Sequence, residues 1–598
     1  MKKNAAVLVS LGLFMGGCQA AGVHYDSKNF VDYYLIGRDY STLNPLISMS
    51  GADLKVIANI SDGMVETDRY GNLIGALAED WTHSEDYKVW TFHLKDAVWA
   101  TQNQEVYSAV TANDFVFGAS YVLDPEMASA HASYFFMIDG AKEYYEQKMA
   151  GKDVDFSQVG IRAIDEKTVE YTLENPCPYL LSVLGSNGFY PVNETFVKQL
   201  DDPKSYGSTP ENTLYSGAFV IESHQADSQL KLVKNENYWD KESVIFDTVT
   251  LLAIKDEESA YEYFMRGEMG NAPLVSTQVV TENKKENQYM LQKETGMLSY
   301  GLLFNNQTLY SEDVNLALSN EDFRQSVFYG FDRTMLTELI NPVNPESILN
   351  QTFCPKGFVK TSDGRDYTTL GGLEKYQEGD LFQLAKALDY KEKAMKQLQS
   401  EGVGFPINLK IWGKSGDTSG LERLLMVKEI LENNLGTDYI TVEVKEYSTS
   451  FSAEPLKNGD YAIYIGGWNP DFADPINCLS VMKSDGRINN AFSPTQIGSS
   501  HFELPEFDAL VEAADQIVDL DQRYEAFANA EAYLLDHAYF CPLYVSGGTY
   551  YVTTVNEYSR MHNLVGIDQF RYKGLEAYDH AINQEEYADF IETWEKGQ

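Results

Sequence analysis

Apolar and polar residues alternate over Phe30 to Ile36, Val89 to Leu94, Gln229 to Lys234 and Val249 to Ile254. That period of two predicts strands with one buried face. In the second of these, Trp90, Phe92 and Leu94 form the apolar face and His93 lies opposite, as a structural or exposed residue. Shorter apolar runs predict further strands at Val169 to Leu173, Leu298 to Phe304, Ile407 to Trp412, Tyr439 to Tyr447 and Tyr461 to Ile465. Helical spacing covers Leu54 to Val65, Glu257 to Met265, Asp380 to Ser400, Leu421 to Leu435, Phe507 to Ile517 and Tyr524 to Asp536, and another helix begins at Glu321. Thr111 is placed to cap a helix, with Asp114 at its positive end. Strands and helices mix irregularly in the first half and alternate in the second. The class is therefore α/β with α+β character, in more than one lobe. Leu298 to Phe304 reads as a crossing between lobes, and the buried run Ala538 to Tyr544 as the return.

The stretch Gly466-Gly467-Trp468-Asn469-Pro470-Asp471-Phe472-Ala473-Asp474-Pro475 stands apart from this pattern. It follows the Tyr461 to Ile465 strand. Two glycines permit close approach of another backbone, and the Trp offers a large apolar face. Such a strand end suits pairing with an extended ligand, and Asp471 can accept a charge-assisted hydrogen bond from an ammonium group. Read locally, the same residues also make an ordinary strand-to-turn transition, with Asp471 and Asp474 as turn residues.

At 598 residues the chain exceeds one compact domain, and 44% hydrophobic residues are enough for real cores. A formal net charge of -43 argues against nucleic acid as a partner, since phosphate binding needs clustered Lys and Arg. The same field favours basic ligands weakly. Met1-Lys2-Lys3 followed by the apolar run Ala5 to Gly17 is too short to span a bilayer, which needs ~20 residues. It fits a secretory signal. Met15-Gly16-Gly17-Cys18 resembles the lipobox of bacterial lipoproteins, which implies cleavage before Cys18, a lipid on that residue, and a short tether. Cys177, Cys354, Cys478 and Cys541 are scattered without a CxxC pair, so thiolate metal binding is not expected. A disulfide among them is compatible with the sequence but unassigned.

Catalytic signatures are missing. There is no HExxH and no G-x-G-x-x-G after a strand. Gly413-Lys414-Ser415-Gly416 looks like part of a nucleophile elbow or phosphate loop, but Asn408 replaces the required upstream Gly, which leaves a surface turn. Paired carboxylates such as Asp471 and Asp474 have the chemistry for a hydrolase, as peptidase or glycosidase. Three residues apart beside a Pro, they read better as a ligand anchor and a turn-former.

The order of segments resembles one family over nearly the whole mature chain. The pieces are Ser41-Thr42-Leu43-Asn44-Pro45, Asp62-Gly63-Met64-Val65-Glu66, Leu77-Ala78-Glu79-Asp80-Trp81, Trp90-Thr91-Phe92-His93-Leu94, Thr111 to Val116, Asn237-Tyr238-Trp239, Phe323-Arg324-Gln325, Phe331-Asp332-Arg333 and Trp468 to Pro475. Together they are similar to the extracellular solute-binding proteins of peptide ABC transporters, and most to the oligopeptide-binding lipoproteins of Gram-positive bacteria. The resemblance implies a two-lobed, periplasmic-binding-protein-like fold with an extra subdomain in the first lobe. Its parts are a signal peptide over 1–17, a lipid-anchored tether over 18–29, a lobe I core from 30–66, 205–297 and 547–598, an extra subdomain over 67–204 and lobe II over 298–546. It implies that Asp471 holds a peptide's α-ammonium beside Trp468. Gly467 and Asn469 would pair with the peptide main chain, and Met49, Ser50 and Gly51 would approach from the other lobe. Short-peptide members carry an Arg three residues before the Trp; Ile465 stands there, so longer or length-tolerant peptides fit better. It further implies a monomer without cofactor or metal, anchored outside the cytoplasmic membrane. An ABC permease and its ATPase subunits would be its partners. Sugar, nickel and pheromone binders share the family, so a non-peptide ligand and a peptide-sensing receptor are the alternatives within it.

Overall fold

In the computed structural model the described residues are 24–491, 500–562 and 565–597. The signal, Cys18 and the first half of the tether lie outside them. Among the described residues no helix is long and apolar enough to cross a membrane.

The molecule has two lobes. In the first, the strand Asn29–Leu35 runs parallel to Thr248–Ile254, and the hairpin Phe219–Gln225 with Gln229–Lys234 continues the sheet antiparallel. Their inward residues Phe30, Val220, Leu230, Leu232, Val249 and Leu251 make one core. The expected helix after the Leu-Asn-Pro turn spans Gly51–Ile60, not Leu54 to Val65. It stops early because the Ile60 carbonyl accepts the N–H groups of Ser216 and Gly217. A Cβ on Gly217 would lie 2.5 Å from the Ser61 nitrogen, so only glycine allows that approach.

The segment beyond the helix enters a buried charge network. Asp62 pairs with Arg571 at 2.5 Å and accepts the Trp239 indole N–H at 2.8 Å. Lys573 lies 2.7 Å from Glu66 and 2.8 Å from Asp240. These residues come from Asp62 to Glu66, from Trp239 and Asp240, and from the C-terminal part of the chain. Removing one partner of such a pair leaves a buried charge uncompensated, typically at about 3–5 kcal/mol. The network thus ties three distant segments of lobe I together.

A second sheet, Ala78–His83, Val89–Leu94, Thr168–Thr172 and Ile161–Asp165, is antiparallel throughout. Trp90, Phe92 and Leu94 are buried as the alternation requires, while His93 is on the outer face against Asp80 at 2.5 Å. The helix Ala112–Val122 starts after Thr111, whose N–H donates to the Asp114 carboxylate at 2.8 Å. The core under this sheet also takes in Leu46, Met64, Val65, Tyr206 and Leu214, from either side of 67–204.

Lobe II is centred on Thr295–Phe304, flanked antiparallel by Ile463–Trp468 and Phe540–Gly547. Beside it, Ile407–Lys414 and Ile440–Tyr447 are parallel and joined by the helix Thr418–Leu435. Arg324 and Arg333 are buried, and among the described residues neither has a carboxylate partner. Arg324 donates to the carbonyls of Leu318, Ser319 and His537, and Arg333 to those of Phe328, Phe331 and Pro542. Those bonds explain the arginine in each of the two lobe II segments singled out in the sequence. The four described cysteines are free thiols and buried.

Two segments cross between the lobes side by side. Lys293 donates its N–H to the Thr549 carbonyl at 2.8 Å, and Gly548 to that of Glu294 at 3.1 Å. Gly547 and Gly548 have φ of 85° and 62°, and a Cβ on Gly547 would meet the Gly296 nitrogen at 2.5 Å. The crossing is therefore tighter and slightly earlier on the first strand than the apolar runs suggest.

Candidate functional site

The strand Ile463–Trp468 is the outer strand of its three-stranded sheet; Ala462 just before it donates its N–H to the Lys410 carbonyl at 2.9 Å, and among the described residues the strand pairs with Thr295–Phe304 alone. Its free edge is turned away from that partner. Gly467 is needed here by the protein itself, because a Cβ would lie 1.6 Å from the Ser299 carbonyl oxygen. The close backbone approach expected from the glycines is thus made by the neighbouring strand. Asn469 is exposed at the strand's end.

From Trp468 the chain turns sharply. The Asn477 side-chain oxygen accepts both the Trp468 indole N–H at 2.7 Å and the Asp471 backbone N–H at 3.1 Å, fixing the turn. Asp471 is half-buried and accepts the Tyr134 hydroxyl at 2.7 Å. Burial pushes its carboxyl above the usual aspartate range, against the opposing pull of the Tyr134 and Asn477 bonds and of Arg487. Among the described residues no lysine or arginine forms an ion pair with it. The site therefore presents a partly desolvated carboxylate with vacant charge complementarity. The Arg487 guanidinium lies over the Trp468 ring at 5.7 Å.

Asp474, by contrast, is spent on structure. Arg523 holds it bidentately at 2.9 Å through both oxygens, and both side chains are fully buried. It also accepts the Ile476 N–H at 3.0 Å, at the start of the helix Pro475–Leu479. A carboxylate so committed cannot serve as half of an acid–base pair with Asp471, which removes the geometric basis for the hydrolase alternative.

Met49, Ser50 and Gly51 lie exposed at the start of the Gly51–Ile60 helix, Met49 with 46% of its surface open. The preceding Ser48 is pinned. Its carbonyl accepts from His131 Nε2 at 3.0 Å and from the Asn187 amide at 2.9 Å, and its hydroxyl donates to Asp53 at 2.5 Å. His131 and Tyr134 belong to one turn of chain, so that turn braces the exposed segment with one side chain and Asp471 with the other. Burial lowers the His131 pKa, and Nε2 must carry its proton to donate to a carbonyl. A cavity of about 540 Å³ opens from Ala52 and Lys55 toward Lys293 and Thr295 at the crossing, with Tyr551 and Tyr558 in its wall. Asp471 and Trp468 do not line it. No group of three or more His, Cys, Asp or Glu among the described residues is placed to hold a metal ion.

Tyr134, Asn477 and Arg487 were not found from sequence. Tyr134 reaches Asp471 across 337 positions, and nothing local marks it. Asn477 carries a faint signal, lying just beyond the Asp-Pro that closes the segment.

The profile described as bacterial extracellular solute-binding proteins, family 5 Middle, matches residues 72–490. The oligopeptide-binding protein SarA of Streptococcus gordonii is 31% identical over 94% of this chain and 91% of its own. AmiA of Streptococcus pneumoniae, also titled an oligopeptide-binding protein, is 30% identical over 100% and 97%. Among solved structures, the substrate-binding domain of an oligopeptide ABC transporter from Bacillus anthracis superposes with a TM-score of 0.67 at 25% identity, covering 93% of this chain and 99% of that one. OppA of Listeria monocytogenes bound to peptide gives 0.66 at 22%, with 93% and 99% covered. With the family's profile over most of the chain and a fold shared end to end, this chain belongs to the family 5 bacterial extracellular solute-binding proteins.

Proposed function

We propose that this protein is the substrate-binding lipoprotein of an ABC importer, capturing oligopeptides between its lobes for delivery to a membrane permease with ATPase subunits. The observation that carries this reading is Asp471, a partly desolvated carboxylate without an ion partner at the end of an edge strand. A peptide's α-ammonium supplies the missing charge. Main-chain pairing with Gly467 and Asn469, and with Met49 to Gly51 from lobe I, gives affinity that is indifferent to side chains. The names of the relatives, oligopeptide-binding proteins, support the same ligand class. The lobe boundaries given above, the lipid on Cys18, the extracellular position and the monomeric state complete the reading.

Calorimetry on lipid-free protein tests it, after bound peptide has been stripped by unfolding and refolding. Free pentapeptides bind, N-acetylation weakens binding about 100-fold or more, and Asp471→Ala produces an equal loss, the size typical of one partner removed from a desolvated charge pair. Binding indifferent to both changes places the anchor elsewhere. Binding of sugar or nickel without peptide overturns the ligand class.

A further inference from the structure

Beside Asp471 stands a cation of opposite chemistry. Arg487 lies over the Trp468 ring at 5.7 Å, and its charge acts on both Asp471 and Tyr134. It is exposed, and among the described residues no carboxylate or carbonyl lies within bonding distance of its guanidinium. Its separation from Asp471 exceeds that of an ion pair, so neither charge neutralises the other. In a chain of net charge -43, an unpaired arginine fixed at the anchor departs from the general field.

Resting on the reading just given, we propose that Arg487 is a specificity-determining residue that selects peptides with a carboxylate close to their N-terminus. An exposed guanidinium beside an indole and without an ion pair keeps its fork of donors available, and that planar fork takes a carboxylate bidentately. With the ammonium on Asp471, the first residues of the peptide pass Trp468, and consecutive Cα atoms advance only about 3.8 Å. A carboxylate in the first two residues is thus the group within reach of Arg487. Its source is an acidic side chain or the C-terminus of a dipeptide. The acidic field of the whole protein steers basic peptides weakly, whereas this local charge inverts the preference at the anchor.

Calorimetry with amidated pentapeptides separates the arms: all-Ala, Asp at position 1, Asp at position 2, and Lys at each. Ala-Ala and its amide report the terminal carboxylate. Wild-type protein binds at least one Asp peptide about tenfold tighter than all-Ala, the worth of one charge-assisted hydrogen bond. Arg487→Gln brings that ratio to about one, and Arg487→Glu turns it over in favour of Lys. A tenfold gap between Ala-Ala and its amide, lost in Arg487→Gln, assigns the terminal carboxylate instead of the side chain. Equal affinity for all pentapeptides in the wild type, or a preference unchanged in Arg487→Gln, overturns the selection while leaving peptide binding in place. A uniform gain for every peptide in Arg487→Gln also overturns it, and makes Arg487 a counter-ion of the empty site. If no peptide binds, the peptide reading itself falls, and this inference with it.

Discussion

At the scale of the residue, two aspartates three positions apart have opposite fates because of what faces them. Asp474 meets Arg523 and is neutralised inside lobe II. Asp471 meets a phenol and an amide, which solvate it without cancelling its charge. The consequence is a pH dependence of binding. Burial raises the pKa of Asp471 in the empty protein, and a bound ammonium favours the ionised form and draws it down. The affinity is therefore full above the free-state pKa and falls as pH drops through it, with an onset above that of an ordinary aspartate. Between the two values peptide binding releases a proton. Titrations in two buffers of different ionisation enthalpy should show that release in wild type and none in Asp471→Asn. A flat affinity profile from neutral into the acid range would show that Asp471 does not meet the ammonium.

At the scale of the element, the strand that leads to Asp471 depends on Gly467 for its own pairing. A Cβ at position 467 would press on the Ser299 carbonyl, part of the central strand, which cannot step aside without breaking the ladder. Gly467→Ala should cost about 2 kcal/mol or more, as overpacking against backbone does. The urea midpoint should drop, with peptide affinity lost beyond it. An unchanged midpoint would mean that the strand shifts freely. Most strands and helices were legible because period two and period 3.6 record burial directly, as in Val89–Leu94 and the exactly placed Glu257–Met265. The Gly51–Ile60 helix was misjudged because its end is set by Ser216 and Gly217, far off in sequence. The candidate anchor at Trp468 and Asp471 can be read from the sequence, since a strand ending in Gly-Gly-Trp and an acid carries its chemistry locally. Tyr134 cannot, because its contact with Asp471 exists only once the lobes meet, nor can Arg487, which comes to the Trp468 ring only when the chain folds back on itself within lobe II.

At the scale of the whole molecule, the same segment that carries Asp471 also joins the lobes. Phe472 stacks on Tyr179 at 5.5 Å, nearly parallel, and packs into the core of the extra subdomain. The next residue, Ala473, donates its N–H to the Ser182 hydroxyl at 2.6 Å. The lobes are also joined at the crossing, where Gly548 donates its N–H to the Glu294 carbonyl and Gly547 and Gly548 have positive φ. Rotation about that crossing would part Phe472 from Tyr179 and Tyr134 from Asp471 together. If Asp471 holds the peptide as proposed, closure and anchoring are one event. A peptide that satisfies Asp471 adds to contacts that already favour the closed form, and weakening those contacts must lower its apparent affinity. Phe472→Ala removes the ring without touching Asp471, Trp468 or the free strand edge. It should weaken every peptide about tenfold, whatever its sequence, the size expected for losing one well-packed aromatic contact from the closed state. Small-angle scattering should show an expanded ligand-free form that returns to the wild-type radius at saturating peptide. A loss confined to some peptides would place Phe472 in a side-chain pocket, and an unchanged radius with unchanged affinity would show that closure is driven from elsewhere.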